Sequence, residues 1–151
     1  MVNLNFKVRA EKLDTWWLDT GKKDDILVAN AKVLDSYVKR EINVETTNCT
    51  IEGRVTINEN TKITNSTIRG PCIIGKNCVI ENSFIGPYTS IGDEAQIIDS
   101  SVEYCVILEN ALIKGIDRLE ESLIGRKAIV SKNHKKRVLK LNIGDYSEVE
   151  I

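Results

Sequence analysis

The stretch NSTIRGPCIIGKNCVIENSFIGPYTSIGDEAQII, residues 65 to 98, is two lines of seventeen residues that superimpose on each other. Ile68 recurs as Ile85, Ile74 as Ile91 and Ile80 as Ile97, so the aliphatic side chains are spaced six, six and five apart. A helix would space them three or four apart and a half-buried strand two apart; neither period fits. Self-similarity at a fixed period of this length marks a solenoid, with one turn of the chain per repeat.

The same line continues upstream as NCTIEGRVTINENTKIT (48 to 64) and downstream as DSSVEYCVILENALIKG (99 to 115). Its fourth position carries Ile51, Ile68, Ile85 and Val102, its tenth Ile57, Ile74, Ile91 and Leu108, and its sixteenth Ile63, Ile80 and Ile97. This is the hexapeptide arithmetic of a parallel β-helix with triangular coils, in which each of three short strands sends one aliphatic side chain to the axis. Strand side chains alternate, so the residue two places earlier also faces inward, close to a corner where space is small. The columns there are small: Cys49, Ser66, Ser83 and Ser100; Val55, Cys72, Thr89 and Val106; Thr61, Cys78 and Ala95. Cys49, Cys72 and Cys78 thus read as compact apolar fillers rather than metal or redox groups, and no C-x-x-C spacing occurs. Cys105 has no assigned slot.

A fifth coil is recovered by shifting five residues, which matches Ser122, Ile124, Ala128 and Val130 to Ser100, Val102, Val106 and Leu108. That shift makes 114 to 120 a bulging corner loop. Gly86, Pro87 and Gly92 are expected at or near corners, where unusual backbone angles suit them. The fold class is therefore an all-β solenoid, a parallel β-helix of about five coils over 48 to 132. At about 4.8 Å per coil it stands on the order of 20 to 25 Å tall.

Two flanking segments complete the chain. Residues 1 to 47 hold a short N-terminal strand at 4 to 8, the pair Trp16 and Trp17, the turn Asp19-Thr20-Gly21 and a helix over 24 to 39. Leu27, Ala31, Leu34 and Val38 form the apolar stripe of that helix, with Asp24 and Asp25 at its start and Lys39 and Arg40 at its end to suit the dipole. The adjacent tryptophans read as one side of a domain interface. Residues 133 to 151 contain Val138, Leu139, Leu141 and Ile143 before Gly144-Asp145, a closing strand or hairpin for the open edge of the last coil.

The 151 residues carry 21 Lys plus Arg against 22 Asp plus Glu, which gives no electrostatic reason to expect nucleic acid or an anionic membrane as partner. The start MVNLNFKVRAEK lacks an apolar run of signal-peptide length, and no stretch of eighteen apolar residues occurs; the expected location is the cytoplasm. The common phosphate-binding loops and the G-x-S-x-G nucleophile elbow are absent. The one histidine, His134, sits in a run with Lys132, Lys135, Lys136 and Arg137 and reads as a solvated side chain. Its alternative reading is the base of a hexapeptide acyltransferase that uses acetyl-CoA on an amino-sugar phosphate.

Three pieces together, WWLDTGKKDDILVAN (16 to 30), IRGPCIIGKNCVIENSFIGPYTSIGD (68 to 93) and RLEESLIGR with LKLNIGDYSEVEI (118 to 126 and 139 to 151), resemble the long form of glucose-1-phosphate thymidylyltransferase. In that family a C-terminal left-handed β-helix follows a nucleotidyltransferase domain, so the resemblance implies that handedness and a C-terminal portion of such an enzyme. It also implies that Asp19, in the W-x-D-T-G element, helps to hold Mg²⁺ in a complete enzyme, where a hard cation takes oxygen ligands. The expected role of this chain is assembly and support of nucleotide-sugar synthesis, either as a fragment or as a short gene product. It needs no cofactor of its own and has a nucleotidyltransferase domain or subunit as partner. Packing of β-helix faces into a homo-oligomer, a trimer by resemblance, is the remaining expectation.

Overall fold

The structure, a computed structural model, describes residues 21–132. The strand at 4 to 8, Trp16 and Trp17, and the closing hairpin within 133 to 151 lie outside the described residues. One helix, α1 (Lys23–Tyr37), precedes a solenoid of seventeen short strands.

The strands form three parallel sheets, the faces of a prism with six, six and five strands. The first face stacks Glu41–Ile42, Val55–Ile57, Cys72–Ile74, Thr89–Ile91, Val106–Ile107 and Leu123–Ile124. The second stacks Thr46–Thr47, Lys62–Thr64, Val79–Glu81, Gln96–Ile98, Leu112–Lys114 and Ile129–Ser131. The third stacks Thr50–Glu52, Thr67–Arg69, Phe84–Ile85, Ser101–Glu103 and Leu119–Glu120. Consecutive strands never pair with each other; each pairs with the strand one full coil away, as in Ile68 with Ile85 and Ile80 with Ile97.

The axis is filled as the seventeen-residue lines require. Ile57, Ile74, Ile68, Ile85, Ile97 and Val102 are fully enclosed, with Cys72, Cys78 and Ala95 in the small slots between them. The buried hydroxyls are all satisfied. Ser83 Oγ donates to the Glu81 carbonyl at 2.6 Å and accepts from Ser100 N–H at 3.2 Å, while Ser66 Oγ accepts from Ser83 N–H at 3.1 Å. Each serine thus ties its own corner to that of the next coil, and a column read as small is also a hydrogen-bonded ladder.

Past Val102 the structure departs from strict periodicity. The step from Val102 to the next axial residue is five rather than six, because Ser90 pairs with Val106 and Ile91 with Ile107. Ile107 is therefore the axial residue and Leu108 is half-buried outside the axis. Cys105 takes the small interior slot expected for Val106, whose side chain turns outward. The lost residue is regained two steps later, since Ile113 to Leu119 is six where Ile97 to Val102 is five, with Val102 paired to Leu119. The last coil then follows in phase: Ile124 stacks on Ile107 and Val130 on Ile113, not on Val102 and Leu108. The supposed bulging loop at 114 to 120 is a one-residue insertion between the strands Leu112–Lys114 and Leu119–Glu120.

The corners are built differently from the expectation for Gly86 and Gly92. Left-handed backbone recurs in columns, one of them Asn48, Asn65, Asn82 and Asp99, another Asn60, Asn77, Glu94, Asn110 and Lys127. Asn and Asp tolerate this conformation better than other side-chain-bearing residues because their short polar groups bond locally. Asn48 donates to Asn65 Oδ1 at 2.9 Å, and Asn82 to Asp99 Oδ1 at 3.1 Å, so part of the corner is a side-chain ladder. In the stretch 83 to 92 it is Tyr88 that has positive φ, at 58°. Gly86 and Gly92 are required by crowding instead: a Cβ on Gly86 would lie 2.5 Å from Glu103 Cβ, and one on Gly92 would lie 2.8 Å from Glu109 N.

Candidate functional site

The residues that sequence reasoning singled out for chemistry, Asp19 and His134, lie outside the described residues. Among the described residues no group of three or more His, Cys, Asp or Glu is placed to hold a metal ion. The thiols are sheltered: burial pushes Cys72 up to about 12 and Cys105 up to about 11, and it raises Cys78 as well. Each of these thiols therefore stays protonated at neutral pH, where it is a poor nucleophile.

What the described residues do build is a seam between α1 and the first face. Leu27 and Leu34 are the buried residues of the helix, and Val38 is buried just after it. A cleft of about 400 Å³ runs beside the seam, lined by Val33, Tyr37 and Val38 from the helix side and by Thr56, Ile73 and Ser90 from the prism. Asn30 fixes the helix in place, its Nδ2 donating to the Tyr88 carbonyl at 3.0 Å and its Oδ1 accepting from Ser90 Oγ at 2.5 Å. Tyr88 in turn sets its ring edge-on to Tyr104, centroids 5.5 Å apart.

The helix ends at Tyr37, two residues short of the expected boundary, and Val38 is extended. No basic residue lies in its last turn, so Lys39 and Arg40 do not complement the dipole from within the helix. The positive charge comes through space. Arg54, from the loop before the strand Val55–Ile57, donates to the Asp35 carbonyl at 2.6 Å and to Asp35 Oδ1 at 3.0 Å. A guanidinium at the carbonyl end of a helix satisfies orphan acceptors and opposes the negative dipole end. Sequence reasoning missed Asn30, Asp35 and Arg54 because their partners are 19 to 60 residues away along the chain. The asparagine corners left a visible signal in the recurrence of Asn48, Asn65, Asn82 and Asp99 every seventeen residues.

Structurally, this seam is an attachment. It fixes the helix that follows Asp19 against the coils at 54, 88 and 90, and so anchors the residues leading into the prism. No protein-family model matches the chain. Over 145 residues, or 95% of its length, the chain is 37% identical to the glucose-1-phosphate thymidylyltransferase of Streptomyces antibioticus. The chain is homologous to part of the glucose-1-phosphate thymidylyltransferases. A second thymidylyltransferase, from Streptomyces griseus, is 32% identical over the whole chain. A protein of Haloferax volcanii named as the low-salt glycan biosynthesis nucleotidyltransferase Agl11 is 43% identical over 82% of the chain. The chain spans 41%, 43% and 35% of the length of these three relatives, a coverage consistent with a C-terminal portion of a thymidylyltransferase. No helix among the described residues is long and apolar enough to cross a membrane.

Proposed function

We propose that this chain is the β-helix portion of a glucose-1-phosphate thymidylyltransferase-like sugar nucleotidyltransferase, supporting and assembling a nucleotidyl-transfer domain rather than carrying out the transfer alone. The observation that carries the reading is the 37% identity over 95% of the chain to a thymidylyltransferase more than twice its length. The architecture agrees in kind: the interior of the prism is filled by aliphatic side chains and hydrogen-bonded hydroxyls, and its outer surface anchors the helix that follows Asp19. In this reading Asp19 belongs to the edge of the nucleotidyl-transfer domain, where a carboxylate would share in holding Mg²⁺. The seam at Asn30 and Arg54 holds α1 against the prism.

The experiment is a turnover assay of the purified chain with dTTP, glucose 1-phosphate and Mg²⁺. The expected result is no dTDP-glucose above the enzyme-free background. Robust formation of dTDP-glucose by the chain alone overturns the supporting role.

A further inference from the structure

Among the described residues, three of the five exposed large hydrophobic side chains belong to α1: Val28, Val33 and Tyr37. The helix thus offers apolar surface beyond the Leu27 and Leu34 that it buries. Val33 and Tyr37, four residues apart, share one flank. Val28 lies about 140° round the helix from Val33, on the other flank. The Val33 flank is one wall of the cleft of about 400 Å³, and Ile73 and Thr56 on the first face are the other. Ile73 points outward there, between the inward Cys72 and Ile74. Tyr37 is 68% exposed, so this wall is left for something else to cover. Apolar walls with Glu41 and Thr56 at hand as acceptors suit an aromatic side chain carrying one N–H donor, which is an indole.

We propose that the cleft is filled by the side chain of Trp16 from the same chain, with the segment before Gly21 folded back along the Val33 and Tyr37 flank of α1. The described chain bends at Gly21 and Lys22, directly before the helix, which is where such a reversal has to occur. The reach agrees. From Thr20 back to Trp16 is four residues, and from Lys23 to Val33 is ten. At about 3.3 Å per extended residue and about 1.5 Å per helical residue these spans are about 13 Å and about 15 Å, a mismatch smaller than one extended residue. Side chains alternate along an extended chain, so Trp17 faces away from the cleft. Docked in this way, Trp16 holds Asp19 at the reversal beside the first turn of α1. The other segment outside the described residues, 133 to 151, follows Ile129–Ser131, four coils or about 19 Å along the axis from the coil of Thr56.

Fluorescence of the full chain carrying Trp17→Phe tests this, because Trp16 is then its one tryptophan. The circular-dichroism melt of every variant, compared with wild type, establishes folding. Where Trp17→Phe itself lowers the melt, the unsubstituted chain is read instead, with Trp16→Phe expected to remove the shielded part of its emission. The expected emission is blue-shifted and shielded from acrylamide relative to the urea-unfolded chain, and it does not change over about a hundredfold range of protein concentration. Val33→Glu from the helix wall and Ile73→Lys from the prism wall each shift the emission to the red and remove the shielding, because a charge does not stay unpaired in an apolar cleft. Val28→Glu, on the other flank, leaves it unchanged. An emission from Trp16 that matches the unfolded chain overturns the proposal. So does a shielded emission that neither wall variant alters, as it is if Trp16 packs elsewhere or residues 133 to 151 fill the cleft. Equal loss of shielding in Val28→Glu, or shielding that appears only as concentration rises and so comes from a second copy, overturns it as well.

Discussion

Gly75, Gly92 and Gly125 stand in one column of the prism, with Leu108 between the last two, and the following coil decides how much room each has. A Cβ on Gly75 would meet Asp93 N and the Gly92 carbonyl carbon at 2.7 Å, backbone atoms that cannot rotate away, whereas one on Gly125 would meet nothing within 4 Å. Gly75→Ala is expected to cost about 1 to 3 kcal/mol through overpacking, and Gly125→Ala to be neutral or to stabilise by about 0.4 to 1 kcal/mol by restricting the unfolded chain. Urea denaturation of the two variants measures the contrast, and equal effects would show that the next coil does not set the requirement. Cys72 gives a second residue-scale outcome. Its pKa, raised to about 12 by burial from an ordinary value of 9.0, means that above pH 9 the unfolded chain releases a proton the folded chain retains. The associated stability is fully present below pH 9 and is lost as pH rises toward 12. Replacing Cys72 by valine, the residue stacked above it at Val55, is expected to flatten the fall in melting temperature between pH 9 and 11. An unchanged slope would mean that other groups govern it.

At the scale of elements, α1 and the prism were legible to different degrees. The helix could be read from Leu27, Leu34 and Val38 because its period is local, but its C-terminus was misplaced because the group that opposes its dipole, Arg54, lies on the prism. The attachment of the helix was invisible for the same reason: Asn30 meets Tyr88 and Ser90 only once the coils have formed. The helix has 15 residues, and in proteins most helical stability comes from tertiary packing rather than propensity, so tertiary anchoring should dominate its protection. Asn30→Ala removes two anchoring bonds while leaving the coil interior intact. Hydrogen exchange should accelerate about tenfold in 23 to 37, or about 1.4 kcal/mol for that local opening, with the amides of 63 to 97 unchanged. Equal acceleration in both segments would show that the helix and the prism open as one unit.

For the whole molecule, the coils between Ile51 and Ile97 were readable because a constant seventeen-residue period needs no knowledge of contacts. The coil after Val102 was not, because one residue lost before Ile107 and one gained before Leu119 cancel over the full turn and leave the period intact while displacing everything between. The sequence offers Val106 and Leu108 at the expected spacing. The structure instead puts Cys105 in the corner slot and Ile107 on the axis, with Ile113 stacked on Val130. Of the candidate site, Asp19 and His134 belong to segments outside the described residues, and the anchoring seam was not legible because it is made of long-range contacts. Stacking also fixes how the molecule should respond to core damage. In a solenoid each coil touches only its neighbours, so a coil between two others is held on both sides and a terminal coil on one. Ile80 is fully buried between Ile63 and Ile97, whereas Val130 is half-buried and rests on Ile113 alone among the described strands. Ile80→Ala is therefore expected to cost about 2 to 5 kcal/mol, the range for a large buried aliphatic residue truncated to alanine, and to lower the main unfolding transition. Val130→Ala should cost about 1 kcal/mol or less and act mainly by fraying the last coil, visible as faster exchange in 119 to 131 with little change at 63 to 97. Denaturant unfolding paired with hydrogen exchange separates the two effects. A Val130→Ala loss as large as that of Ile80→Ala, spread over all coils, would mean that the prism unfolds as a single cooperative block with no weaker end.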